Sequence, residues 1–380
     1  MYDIPLPNLS SIKQLVNKLA LDYGFQQVTI ADIDTADYFP KFKQWVEEGN
    51  HGEMSFLERN QSLRQNPNEL HPGTCRVLSF RYNYLPESSG FVRVLEDHNL
   101  ANISRYALGR DYHKLMRKKL QKIADSITEF CDNVEYRVFV DSAPVLETSF
   151  ADKSGLGWKG KHTLIINKNA GSWFFLGEIF INIPLEIDPP VKDGCGNCTS
   201  CINLCPTGAI VAPYKVDARK CISYLTIENQ SSIPIELRPL MGNKIYGCDD
   251  CQLACPWNRY SSNTSDKDFQ ARNNFDNISL LELFNWSEKE FLQKLEGSPI
   301  RRIGYQNWLR NIAVALGNGL SNQETIRSLR EKKSAANSMV NEHIDWAIDQ
   351  LEQRIGNPPQ ITEKNIKLIN SVNKMMPENA

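Results

Sequence analysis

The apolar positions in the first half of the chain switch repeatedly between two periods. Ile12, Leu15, Val16, Leu19 and Tyr23 share one face of a helix that Gly24 terminates, and residues 25–33 then read as a strand. The pattern predicts further helices over 38–48 and 112–131, the second long and amphipathic. It predicts strands over 77–84, 136–141, 163–167 and 177–183. Such alternation lays helices on a central sheet, so residues 1–185 are expected to form an α/β domain whose strand order stays open.

Pro184, Pro189 and Pro190 close that region, and a cysteine-rich stretch follows. Beyond about residue 266 the strong strand signals stop. Trp308, Leu309, Ile312, Ala313 and Leu316 make one apolar helical stripe. Ile344, Ala347, Ile348, Leu351 and Ile355 make another, ending before Gly356 and Pro358-Pro359. The two match antiparallel helices of a short HEAT-like unit. Residues 186–262 and 263–380 are therefore read as a second and a third domain, α+β overall, with the tail after Pro359 loosely held.

Composition narrows the class only a little. At 41 % hydrophobic and 23 % charged the chain is an ordinary soluble protein, and a net charge of −2 gives no global attraction to nucleic acid or membrane. The N-terminus lacks a basic start followed by an apolar stretch. The most apolar region, 173–187, is interrupted by Glu178 and Glu186 and is too short to span a bilayer. A cytoplasmic protein without membrane contact is expected.

The cysteines change the picture. Eight of the ten fall between Cys195 and Cys255, leaving Cys75 and Cys131 apart. In a reducing compartment such clustering points to metal ligation rather than disulfides. Cys195-x2-Cys198-x2-Cys201-x3-Cys205-Pro206 is the bacterial ferredoxin run, and Cys221 followed by Cys248-x2-Cys251-x3-Cys255-Pro256 is a looser second set. Three closely spaced thiolates wrap one face of a cubane, while the fourth reaches the other cluster. That rule gives Cys195, Cys198, Cys201 and Cys255 to one [4Fe–4S] cluster, and Cys205, Cys221, Cys248 and Cys251 to the other. Paired zinc sites are the competing reading, against which the third CxxC-type step and both Cys-Pro endings argue. A module of this kind relays electrons, so the chemistry must lie elsewhere.

Three features of the first domain carry candidate chemistry. Gly155-Leu156-Gly157-Trp158-Lys159-Gly160 satisfies GxGxxG but precedes a strand, whereas a dinucleotide fingerprint follows a strand and opens a helix. Asp111-Tyr112-His113 begins like the DxHxxG motif that presents histidine to cobalt in some corrinoid enzymes. Met116 occupies the glycine position, which leaves His113 as a surface residue at a helix start. Asp141 ends an apolar strand before Ser142-Ala143-Pro144. Taken locally, it reads first as the cap of a helix beginning near Pro144, and second as a carboxyl acid at the end of a sheet strand, where ligands bind.

Several motifs occur in order: Gly49-Asn50-His51-Gly52-Glu53-Met54-Ser55-Phe56-Leu57, Ser104-Arg105-Tyr106-Ala107-Leu108-Gly109-Arg110-Asp111-Tyr112-His113, Val140-Asp141-Ser142-Ala143-Pro144 and Lys153-Ser154-Gly155-Leu156-Gly157-Trp158. With the double cysteine pattern and Trp308-Leu309-Arg310-Asn311, they resemble the epoxyqueuosine reductases, cobalamin-dependent enzymes that complete queuosine in tRNA. The resemblance spans residues from about 10 to 355. It implies a base-off cobalamin between the first domain and the cysteine module, with Asp141 as proton donor. Ser104, Gly155, Gly157, Gly160, Ser223 and the Cys248-Asp249-Asp250-Cys251 segment would lie around the corrin. Arg59 would stand either there or in a surface ion pair.

The implied reaction removes the epoxide oxygen from epoxyqueuosine at the anticodon wobble position with two electrons and protons. The clusters would reduce the cobalt, which attacks an epoxide carbon while Asp141 protonates the leaving oxygen. An external low-potential donor of ferredoxin or flavodoxin type would supply the electrons to a monomer. Residues 289–333 carry nine Lys and Arg against four Glu and no Asp, so Arg301, Arg302 and Arg310 are candidate tRNA phosphate contacts. The alternative is a solvated helix face, and Trp308 reads as core. Two rival functions remain. Reductive dehalogenases also pair cobalamin with two clusters, but they usually carry an export signal and lack the helical tail. The other rival is a non-catalytic ferredoxin-type carrier.

Overall fold

The computed structural model describes residues 8–87, 90–355 and 361–376. Strands β1 (Gln27–Ala31), β2 (Arg76–Asn83), β3 (Tyr136–Phe139) and β4 (Phe174–Ile181) form one sheet in the order β1-β2-β4-β3, every neighbouring pair antiparallel. Helices α1 (Leu9–Asp22) and α2 (Tyr112–Phe130) start where Asn8 and Asp111 accept hydrogen bonds from the backbone N–H groups of Ser10 and His113. The period-2 pattern then sorts the strands. Leu78, Phe80 and Tyr82 join Ile12, Val16, Met116 and Leu120 in the core under α1 and α2. Val77 and Phe180 take the opposite face with Phe139 and Phe150, where α3 (Glu147–Lys153) packs.

The predicted strand over 163–167 is shorter and lies outside this sheet. Ile165–Ile166 pairs only with Trp158–Lys159, in a separate two-stranded hairpin. Its glycines are explained by close backbone approach. A Cβ on Gly155 would meet the carbonyl oxygen of Pro189 at 2.3 Å, and one on Gly157 would meet that of Ile166 at 2.3 Å. On Gly160 it would meet the Ile166 side chain at 2.6 Å. Protein therefore fills the space these glycines leave.

In the helical region α4 (Gly304–Asn318) packs on α5 (Ser338–Gln353), with Trp308 fully buried as expected. Arg310 is a correction. Its side chain is 0 % exposed, so it cannot reach a phosphate. Nη1 donates to the carbonyls of Asn229 at 2.7 Å and Ser231 at 2.9 Å, and Nη2 to that of Leu225 at 2.8 Å. Asn311 Nδ2 donates to the carbonyls of Thr226 and Ile245 at 2.8 and 2.9 Å. The polar half of the Trp308–Asn311 motif thus ties the helical region to the backbone of the cysteine stretch. Arg310→Gln is expected to lower the unfolding free energy by about 3 kcal/mol, because buried carbonyls left without donors each cost roughly 1–3 kcal/mol. Chemical denaturation measures it, and an unchanged midpoint would overturn the account.

The tail is a second correction. α6 (Glu363–Met375) and its following residue place Leu368, Val372 and Met376 in the core of the first domain, against residues 91–96, 200–204 and 250–253, and Lys364 Nζ donates to the Cys205 carbonyl at 2.5 Å. A short apolar stripe at i, i+4 and i+8 suffices once a preformed surface receives it. Gly356 and Pro358-Pro359 lie outside the described residues. No helix among the described residues is long and apolar enough to cross a membrane.

Candidate active site

β3 ends at Phe139, and the chain turns at Asp141 with φ +57°, a left-handed conformation that costs most L-residues roughly 1–2 kcal/mol. Asp141 caps no helix. α3 begins at Glu147, its N-cap residue is Leu146, and no side chain caps it. The local preference for a cap therefore fails, because the turn between strand and helix is longer than the sequence suggested. The carboxylate of Asp141 is taken up by side chains from elsewhere. Tyr112 Oη donates to Asp141 Oδ2, and His113 Nε2 lies 2.9 Å from the same oxygen.

The first turn of α2 sets these two rings. Tyr112 stacks on Phe175 with centroids 3.9 Å apart, and His113 stacks on Tyr112 at 4.1 Å. Asp111 Oδ1, 2.6 Å from His113 Nδ1, fixes the other edge of the imidazole. Asp111 also pairs with Arg302 Nη2 at 2.6 Å, and Arg302 Nη1 stands 3.2 Å from His113 Nε2. Arg302 thus bonds into the site although it is exposed, as Arg301 is. His113 is no simple surface residue, its side chain being 14 % exposed. Sequence reasoning missed it by weighing the failed DxHxxG motif and not its neighbours in space.

Charge follows geometry. Burial works to raise the Asp141 pKa, but hydrogen bonds from His113 and Tyr112, then the charges of His113 and Arg302, hold it below the usual carboxylate value. Burial likewise works to lower His113, yet its bonds to Asp111 and Asp141 raise it. The resting proton therefore sits on the imidazole of a His113–Asp141 ion pair. Burial and the Asp141 charge push Tyr112 well above its ordinary value, so its hydroxyl remains a donor.

Behind this site lies a cavity of about 420 Å³. Tyr112, Tyr106, Ser104 and Phe175 line one side; Cys205, Cys221, Ser223, Cys248, Asp250 and Cys251 line the other. A second cavity of about 760 Å³ shares Thr148, Thr163 and Val216 with it. A third, about 100 Å³, is walled by Cys195, Cys198, Cys201 and Cys255. The cavity walls divide the eight cysteines into the two quartets that the ferredoxin rule names, so the donor chemistry fits two iron–sulfur clusters.

The first cavity also fits a large, largely apolar ligand with polar edges. His162 lines both it and the smallest cavity, and its buried Nε2 has no partner among the described residues. Burial lowers that histidine to about 4, so the imidazole is neutral. Its Nδ1 accepts the Leu164 N–H at 3.1 Å, which leaves Nε2 as a donor awaiting an acceptor. Ser104 instead donates to Asp249 Oδ1 at 2.5 Å, and the Arg105 N–H bonds Oδ2 at 2.9 Å, fastening the Cys248–Cys251 segment to this wall. Asp250 pairs with Lys244 at 3.0 Å, both buried. Gly155, Gly157 and Gly160 are absent from the walls of both large cavities, which the following residues 162–165 and Trp158–Lys159 reach instead; Arg59 is exposed, bonds Ser55 and is likewise absent from those walls.

Comparison with known proteins identifies the cysteine module and the family. Residues 194–258 match the family described as 4Fe-4S double cluster binding domain, and residues 64–142 match Epoxyqueuosine reductase QueG, DUF1730. The epoxyqueuosine reductase of Escherichia coli (strain K12) is 51 % identical over 375 residues, covering 98 % of this chain and 99 % of its own. The structure of epoxyqueuosine reductase from Streptococcus thermophilus superposes with a TM-score of 0.77 at 26 % identity, covering 96 % of this chain and 99 % of that one. A crystal structure of epoxyqueuosine reductase with an epoxyqueuosine-modified tRNA-Tyr stem loop shares the fold, with a TM-score of 0.80 at 24 % identity over 97 % of this chain and 100 % of that one. Half of all positions are identical to the Escherichia coli protein from one end of the chain to nearly the other: this chain belongs to the epoxyqueuosine reductase family and is a reductase.

Proposed function

We propose that the protein reduces epoxyqueuosine to queuosine at the wobble position of tRNA anticodons. Electrons would pass from an external low-potential donor of ferredoxin or flavodoxin type through two [4Fe–4S] clusters to a cobalamin. One observation carries the reading. The Cys205, Cys221, Cys248 and Cys251 quartet lines the same cavity as Tyr112, whose hydroxyl holds Asp141. Electron supply and proton supply therefore meet across one space.

Cys195, Cys198, Cys201 and Cys255 would hold the first cluster, the other quartet the second. The adjoining cavities would hold the cobalamin, with Ser104, Ser223 and the Cys248–Cys251 segment on its border. When bound, that group supplies a two-electron nucleophilic metal centre able to open an epoxide. The chain's own part is proton control. His113 Nε2 keeps the proton at rest, 2.9 Å from Asp141 Oδ2, and Asp141, whose side chain is 55 % exposed, passes it to the leaving oxygen. Asp111 and Arg302 hold His113 in register. Arg301 remains a phosphate contact at the edge of the site.

The test is turnover. Protein reconstituted anaerobically with iron, sulfide and cobalamin, then reduced, should convert epoxyqueuosine to queuosine in tRNA, read by nucleoside mass spectrometry. Fully loaded protein that leaves the epoxide intact would end the proposal.

A further inference from the structure

Carboxyl groups continue inward from Asp141. The Asp141 N–H donates to Glu147 Oε1 at 2.6 Å, across the left-handed turn into α3. Glu147 in turn meets Glu178 on β4. Glu178 is 0 % exposed, opposite Ser79 on β2 and Phe139 on β3. Neither Glu178 oxygen receives a bond from a described donor, and the Ser79 hydroxyl beside it is also buried without a partner. Two carboxyl groups bond to each other only by way of a proton, and an isolated carboxylate in such a place neutralises rather than staying charged.

We propose that Glu147 and Glu178 form a protonated carboxyl pair that positions Asp141: Glu147 anchors the Asp141 amide while adding no second negative charge beside its carboxylate. The inference rests on Asp141 being the acid of the proposed reaction. Among the described residues, the charged groups around the pair are engaged elsewhere. His113 and Tyr112 on α2 bond Asp141, and Arg302 bonds Asp111. Lys153 and Asp152 on α3 engage Asp32 and Tyr38. Arg81, two residues from Ser79 on β2, donates to Asn83. Burial first, then the Asp141 charge, pushes Glu147 up to about 8, and burial with the Glu147 charge pushes Glu178 well above its ordinary value.

Above pH 8 a charge on Glu147 would strengthen the hold of His113 on its proton. Glu147→Gln keeps an acceptor for the Asp141 amide and cannot ionise; it should retain neutral-pH kcat, because the anchor on the turn persists. Glu147→Ala should lower kcat by roughly ten- to hundredfold with KM for tRNA little changed, since the turn loses its anchor. A buried protonated-carboxyl band should stand in the infrared spectrum at pH 7, fade through about pH 8 and diminish in Glu147→Gln, whether or not turnover is measured. Unchanged kcat in Glu147→Ala, a comparable loss of neutral-pH kcat in Glu147→Gln, or absence of the band would overturn the inference. If Glu147→Ala fails to fold, the glutamine variant and the infrared band decide. Full turnover by Asp141→Asn would instead remove the acid assignment and leave the band where it is.

Discussion

Asp141→Asn is expected to lower kcat by about two orders of magnitude or more while cobalamin and tRNA stay bound. The substitution is clean for a structural reason. Asn tolerates the left-handed conformation at least as well as Asp, so the turn at φ +57° should survive. The backbone N–H that bonds Glu147 is retained. Only the proton-carrying oxygen and its charge disappear. His113 then loses one of the two carboxylates that raise its pKa, and its ring should titrate at lower pH than in the parent, readable by nuclear magnetic resonance. The sign is fixed: removing an anion beside an imidazolium favours the neutral ring. Full activity in Asp141→Asn would end the catalytic assignment.

The second large effect concerns the quartet nearest the site. Reconstituted protein should carry about eight irons per chain, since each cubane holds four. Cys205→Ala should lower that toward about four and abolish reduction of the cobalt by the donor protein, with cobalamin binding impaired far less. The Cys205 carbonyl that receives Lys364 is backbone and persists, so α6 should stay docked. Cys75→Ala and Cys131→Ala should leave the iron unchanged, because neither lines a cysteine-walled cavity. Iron-free, zinc-loaded protein with normal turnover would sink the cluster assignment.

The basic stretch at 289–333 shows where charge counting in sequence runs out. Arg327 pairs with Glu331 at 2.8 Å, Arg330 with Glu352 at 2.6 Å and Lys333 with Asp345 at 2.7 Å. Two of those carboxylates lie outside the counted window, so part of the positive excess is offset by partners that a local tally cannot see. Arg302 also pairs outside the window, with Asp111, while its side chain stays exposed, and Arg310 is buried against backbone carbonyls.

Local order was legible by itself. The predicted helix over 112–131 and strand over 77–84 each lie within one residue of α2 and β2, because burial periodicity acts over a single element. Cluster ligation was legible for a similar reason, as cubane geometry fixes the spacing of thiolates along the chain. Asp141 was not, and the resemblance to a family had to speak for it. Its role depends on Tyr112 and His113, some 30 residues earlier, on Glu147 after it, and on Arg302 from another part of the chain. The antiparallel strand order, the docking of α6 and the conversion of Arg310 from candidate phosphate contact to buried tie likewise depend on distant partners. Periodicity and ligand spacing are short-range properties that the sequence determines outright, whereas the protonation, exposure and purpose of a polar side chain belong to whatever folding brings beside it.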